Sequence, residues 1–69
     1  RMSARHALLR TLLRTPGLAV TYHDVLADLG YHVSRQRVSA AAKQLQRDGY
    51  DIATSSGPGG GYLLRGVRS

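Results

Sequence analysis

The sequence predicts a small α+β domain, three short helices followed by a C-terminal β-hairpin, in the order α-β-α-α-β-β. Three observations carry that reading. Apolar residues recur at helical spacing in three separate stretches before Gly49. Breakers divide those stretches, first Thr15-Pro16-Gly17 and then Gly30. Finally, Gly49–Leu64 holds two short apolar-alternating runs, Tyr50–Ser55 and Tyr62–Arg65, around a glycine-rich turn headed by Pro58.

Each element has a local cause. Ser3 is placed to cap a first helix running to about Thr15, with Leu8, Leu9, Leu12 and Leu13 as its apolar stripe and Arg5, Arg10 and Arg14 off it. Leu18-Ala19-Val20 is short, apolar and flanked by breakers, which suits a minimal strand pairing with the hairpin. Thr21-Tyr22-His23-Asp24 has the form of a capping box with Asp for the usual Glu. It opens a second helix, Tyr22 to Leu29, burying Val25, Leu26 and Leu29, and Gly30 stops it. Val33 is an apolar plug in the following turn, and Ser34 caps a third helix. There Val38, Ala41, Ala42 and Leu45 fall at i, i+3, i+4 and i+7, a buried face whose alanines permit close helix approach. Gln36, Ser39, Ala40, Lys43 and Arg47 fall opposite, and Arg35 and Arg37 project from the first turn. Tyr50 and Tyr62, each starting a strand, are expected to be cross-strand neighbours.

Sixty-nine residues make one domain (1–69), and the start at Arg1 rather than Met reads as that of a domain cut from a larger protein. Ten leucines and five valines supply the core, with no Phe or Trp. The absence of cysteine excludes disulfides and thiolate metal sites. No apolar run is long enough to span a bilayer. Ten Lys+Arg stand against four Asp and no Glu, for a net charge of +6, so the natural partner is a polyanion.

The charge is concentrated. Residues 34–47 hold four cations and no acid; acids return only at Asp48 and Asp51. A major groove admits one α-helix, whose N-terminal residues meet base edges. Arg35 and Arg37 suit bidentate contacts to guanine, Gln36 suits adenine, and Ala40 suits a thymine methyl. Ser34, Ser39 and the first amides of the helix suit a phosphate. Lys43 and Arg47, further along, suit the backbone. Arg65 and Arg68 suit phosphates beside the hairpin, and the backbone at Gly59 and Gly60 can approach a phosphate without a side chain in the way. For Arg5, Arg10 and Arg14 a solvated face and a phosphate contact are equally open.

Val33-Ser34, Val38, Leu45, Gly49-Tyr50, Ile52 and Gly59-Gly60-Gly61-Tyr62-Leu63 together resemble the winged helix-turn-helix of the biotin-operon-repressor type. The resemblance covers nearly half the chain, and the remaining elements follow the family's order. It implies a recognition helix at about 35–47 in the major groove and a hairpin wing at about 50–65 on the flanking backbone. It further implies sequence-specific binding of double-stranded DNA, as in a bacterial or phage transcriptional regulator acting in the cytoplasm on the nucleoid, as a homodimer or on repeated sites. The chain departs from the family at Tyr31-His32, where a tighter turn is usual. It departs again at the tip, Ser56-Gly57-Pro58-Gly59-Gly60, which lacks the Arg or Lys that many members send into the minor groove.

Three alternatives use the same fold: the DNA-reading module of a plasmid or chromosome translocase, a protein-interaction winged helix, and an RNA binder. The basic third helix disfavours the second, and the scarcity of aromatics disfavours the third. Gly57-Pro58-Gly59-Gly60-Gly61 opens onto a strand rather than a helix, unlike a nucleotide-binding loop. His6, His23 and His32 lack metal-ligand spacing, and no Cys nucleophile, Glu or paired carboxylates point to catalysis. The expectation is a non-enzymatic domain without metal or cofactor.

Overall fold

Ser3 begins the first helix by accepting the His6 amide at 3.1 Å, and α1 runs Ala4–Arg14. The computed structural model of the chain describes residues 2–55 and 60–67. α2 spans Tyr22–Leu29 behind a complete capping box. The Thr21 hydroxyl accepts the Asp24 amide at 3.2 Å, and the Asp24 carboxylate accepts the Thr21 amide at 2.9 Å. Gly30 ends α2 at φ 78°, a left-handed conformation that a side chain resists. α3 spans Arg35–Arg47, with the Ser34 hydroxyl accepting the Arg37 amide at 3.1 Å. Gly49, at φ 109°, then turns the chain into the hairpin of β1 (Tyr50–Ser55) and β2 (Gly61–Val67), paired antiparallel.

The core is aliphatic. Leu8, Leu12, Val25, Val38 and Leu45 are fully buried where the three helices meet. α1 packs on both other helices, and Ala4, Ala7, Ala41 and Ala42 are buried, so α1 and α3 approach closely through small residues. Val33 is buried in the turn, as a plug between α2 and α3. Ile52 and Leu64, opposite one another in the hairpin, close the core from the strand side. The four tyrosines stay at the margin, half-buried against it.

Several expectations are corrected. Leu13 is not part of the buried stripe: it is 54% exposed, because α1 is covered along Leu8 and Leu12, and only Leu9 of the other two packs against that core. Leu26 is likewise only half-buried. The expected strand at 18–20 reduces to one bridge, in which Val20 pairs with Tyr62 while Leu18 is exposed. Tyr50 and Tyr62 are not neighbours, since Tyr50 faces Val67 and Tyr62 faces Thr54. The strand also runs past Arg65 to Val67, because the register slips between Asp51 and Ile52. Asp51 pairs with Gly66 and Ile52 with Leu64, leaving Arg65 as the extra residue of a bulge. The slip keeps Ile52 and Leu64 facing inward together.

Candidate nucleic-acid interface

Helical spacing sorts the exposed side of α3 into three stripes. Gln36, Ala40, Lys43 and Arg47, at i, i+4, i+7 and i+11, form the outermost line, and all four are exposed. On one flank, Arg37, Ala40 and Gln44 border a surface cleft with Ser3 and Arg5 at the start of α1. On the other, Arg35, Ser39 and Lys43 face the hairpin across a second cleft of about 270 Å³. Arg35 and Arg37, two positions apart in the sequence, therefore leave α3 on opposite sides.

Three of the four aspartates divide the cations outside α3. Asp48, at the C-terminal end of α3 where the helix dipole disfavours a carboxylate, is met by Arg5 at 2.6 Å. Asp28 takes Arg14 at 3.1 Å and Arg10 at 3.7 Å, and Asp51 takes Arg65 at 3.1 Å. Asp24 is held in the capping box of α2. Among the described residues, Arg35, Arg37, Lys43 and Arg47 meet no carboxylate within 4.0 Å, and all four belong to α3. The positive field is thus concentrated on one helix. Surface ion pairs such as Arg65–Asp51 are worth about 1 kcal/mol or less and weaken with salt, so Arg65 keeps the ability to turn to another anion.

The cleft beside the hairpin is the most organised part of this surface. The Arg35 guanidinium lies 4.5 Å from the centre of the Tyr22 ring, a cation–π stack. The Tyr22 hydroxyl donates to the Val33 carbonyl, which pins the ring to the turn before α3. Tyr62 lies on the opposite wall, its strand held by the bridge to Val20. Burial pushes the Tyr62 hydroxyl above the ordinary tyrosine range, while the nearby Arg35 charge pulls it back. Gln46 ties α3 to β1 by donating to the Ile52 carbonyl at 2.7 Å. Thr54, Ser55, Gly60 and Gly61 complete the far wall.

The sequence reading reached the α3 residues but not this cleft. Ser34, Arg35, Gln36, Arg37, Ser39, Ala40, Lys43 and Arg47 are all exposed on α3 or its cap. Gly60 lines the cleft, whereas Arg65 sits at the bulge beside Asp51. Gly59, Arg68 and the tip residues 56–58 lie outside the described residues. Gln46, Thr54, Ser55 and Tyr62 carry no sequence signal for the cleft, because their meeting depends on how the hairpin docks. Tyr31 behaves as a spacer, half-buried with its hydroxyl donating to the Met2 carbonyl.

Among the described residues no helix is long and apolar enough to cross a membrane, and no three His, Cys, Asp or Glu side chains gather as a metal site would require. Compared with known proteins, the chain matches no family model, no curated protein and no solved structure.

Proposed function

We propose that this domain is a winged helix-turn-helix that binds double-stranded DNA, with α3 in the major groove and the hairpin along the flanking backbone. One observation carries the reading: among the described residues, the Arg and Lys side chains that lack a carboxylate partner all lie on α3, while the others are paired. A positive surface kept for solubility alone has no need of that sorting. A helix that neutralises phosphates does, because each released counterion adds to affinity.

The outermost line of α3, together with Arg37 on its α1 flank, supplies the readers. Gln36 is suited to the paired acceptor and donor of adenine, and Ala40 to a thymine methyl. Arg37, projecting on the α1 side, is suited to guanine. Lys43, Arg47, Ser34 and Ser39 suit phosphates, and so does Arg65 once it leaves Asp51. A single module of this kind covers on the order of 600–1,000 Å², so a second copy or a repeated site completes its specificity. The protein is a bacterial or phage regulator working in the cytoplasm; a DNA translocase would use the same face.

The test is a selection from short duplexes of randomised sequence. Recovery of an enriched motif is the expected result, and its symmetry would report one copy or two. Retention without enrichment would reduce the domain to a non-specific basic module. No retention at low salt would overturn the proposal in favour of a protein partner.

A further inference from the structure

The cleft between α3 and the hairpin has a chemistry of its own. Arg35 and Lys43 bring two cations into it, and Ser39, Thr54, Ser55 and Tyr62 bring four hydroxyls. Among the described residues, no carboxylate lines it. Such a lining suits an anion with several oxygens and offers little to an apolar side chain.

Arg35 is prepared for that anion. An unconstrained arginine loses rotamer freedom when it binds, which offsets part of what it gains. Here the guanidinium is already stacked on Tyr22, and Tyr22 is itself fixed through its hydroxyl to the Val33 carbonyl. Stacking occupies the face of the guanidinium and leaves its N–H edge to donate. That edge lies on the hairpin flank of α3, in the cleft, on the opposite side of the helix from Arg37.

Resting on the DNA reading above, we infer that this cleft seats one phosphodiester of the strand bordering the groove. Arg35 is its clamp, Lys43 the second cation, and Tyr22 the positioning residue that holds Arg35 ready. Arg35 therefore grips backbone instead of reading guanine, and base discrimination falls to Gln36, Arg37 and Ala40. The two arginines of the first turn, alike in sequence, do different work because they leave the helix on opposite flanks.

The experiment uses the duplex recovered by selection, with each phosphate in turn replaced by a neutral methylphosphonate. In the parent protein one replacement per bound domain should weaken binding about tenfold through Arg35. Arg35→Ala should weaken the unmodified duplex by a similar factor, lose sensitivity to that same replacement, and keep its base preference. Its salt slope should fall by about one. Tyr22→Phe, which keeps the ring, should bind more tightly than Tyr22→Leu, which removes the stack. Melting curves for both Tyr22 variants separate a positioning effect from unfolding, and Arg35→Ala, an exposed site, keeps the test decisive if either unfolds. Should Arg35→Ala relax preference at one base pair, or stay sensitive to every methylphosphonate, the inference falls while the DNA reading stands. Should the parent protein retain no duplex, both fall.

Discussion

Val20 and Tyr62 exchange both of their backbone hydrogen bonds, at 2.7 and 2.8 Å, and this bridge fastens the hairpin to the segment between α1 and α2. The Val20 side chain is meanwhile buried in the helical core. One residue thus couples the position of the hairpin to the packing of the helices. The cleft beside α3 depends on that coupling, since Tyr62 forms its far wall.

Val20→Ala should therefore do two things. Loss of the buried methyls should cost about 2 kcal/mol, counting the transfer of two carbons and a partial cavity. The Tyr62 amide should also exchange with solvent faster than in the parent, because its partner strand is less firmly held. Urea denaturation and amide exchange measure the two effects. An unchanged midpoint with unchanged exchange would show that the bridge follows the fold without supporting it.

Gln36→Ala and Arg37→Ala are expected to lower affinity for the selected duplex by roughly 1–3 kcal/mol each, and each to relax preference at a single base pair. Random duplex should be affected far less by Gln36→Ala, which carries no charge. Competition binding with single-base variants of the site gives the answer. Equal losses on specific and random duplex would remove both residues from base reading.

Lys43→Ala and Arg47→Ala should weaken specific and random duplex alike and lower the salt slope by about one each. Arg14→Ala makes an instructive contrast. Its charge is paired with Asp28, and it belongs to α1, not α3. Its removal should leave the salt slope nearly unchanged and reduce stability by roughly 1–3 kcal/mol, because Asp28, only 12% exposed, loses its nearest partner. A slope that falls equally in all three variants would mean that net charge, not its arrangement on α3, governs binding.

These expectations differ in how far the sequence alone could have carried them. Caps were legible because they are local: Ser3, Thr21 with Asp24, and Ser34 each bond within three residues. So was the buried face of α3, whose spacing at Val38, Ala41, Ala42 and Leu45 is set by helix geometry alone. The partners of Arg5 and Arg14 were not legible, since Asp48 and Asp28 stand 43 and 14 positions away and meet them only through helix packing. Leu13 carried the same apolar signal as Leu12, and which of them is covered depends on where α2 and α3 lie. The bulge at Arg65 has one local mark, Gly66 beside it, but its place follows from aligning Ile52 with Leu64 over the core. Arg35 looked like its neighbour Arg37 until the Tyr22 ring was found beneath it.

Gly30→Ala tests the stop of α2 without disturbing packing. A methyl group there would meet nothing within 4 Å, so the cost comes from backbone conformation alone. The left-handed φ of 78° should make the variant less stable by about 1 kcal/mol, on the low side of the range for a left-handed residue bearing a Cβ. Thermal unfolding at fixed pH reads this directly. A neutral or stabilising outcome would mean that the turn relaxes to a right-handed conformation, which would move Tyr31 and the Val33 plug.

Tyr62 links the cleft to pH. Its hydroxyl is held above the ordinary tyrosine range by burial, with Arg35 opposing the shift. Below about pH 10 the group is protonated in both the folded and unfolded chain and adds no pH dependence. Above that, the unfolded chain releases its proton first while the folded chain retains it. Stability should therefore fall as pH rises from the unfolded value through the folded one. Tyr62→Phe should lack that part of the fall, so the parent and the variant should diverge progressively on the alkaline side. Arg35→Ala should push the Tyr62 titration higher still, because the charge that stabilises the phenolate is gone. Phenolate absorbance followed against pH, with Tyr62→Phe as the baseline, tests both statements. A titration unmoved by Arg35→Ala would mean that the guanidinium does not face Tyr62 in solution, and the cleft would then lack the cation on which its grip of a phosphate depends.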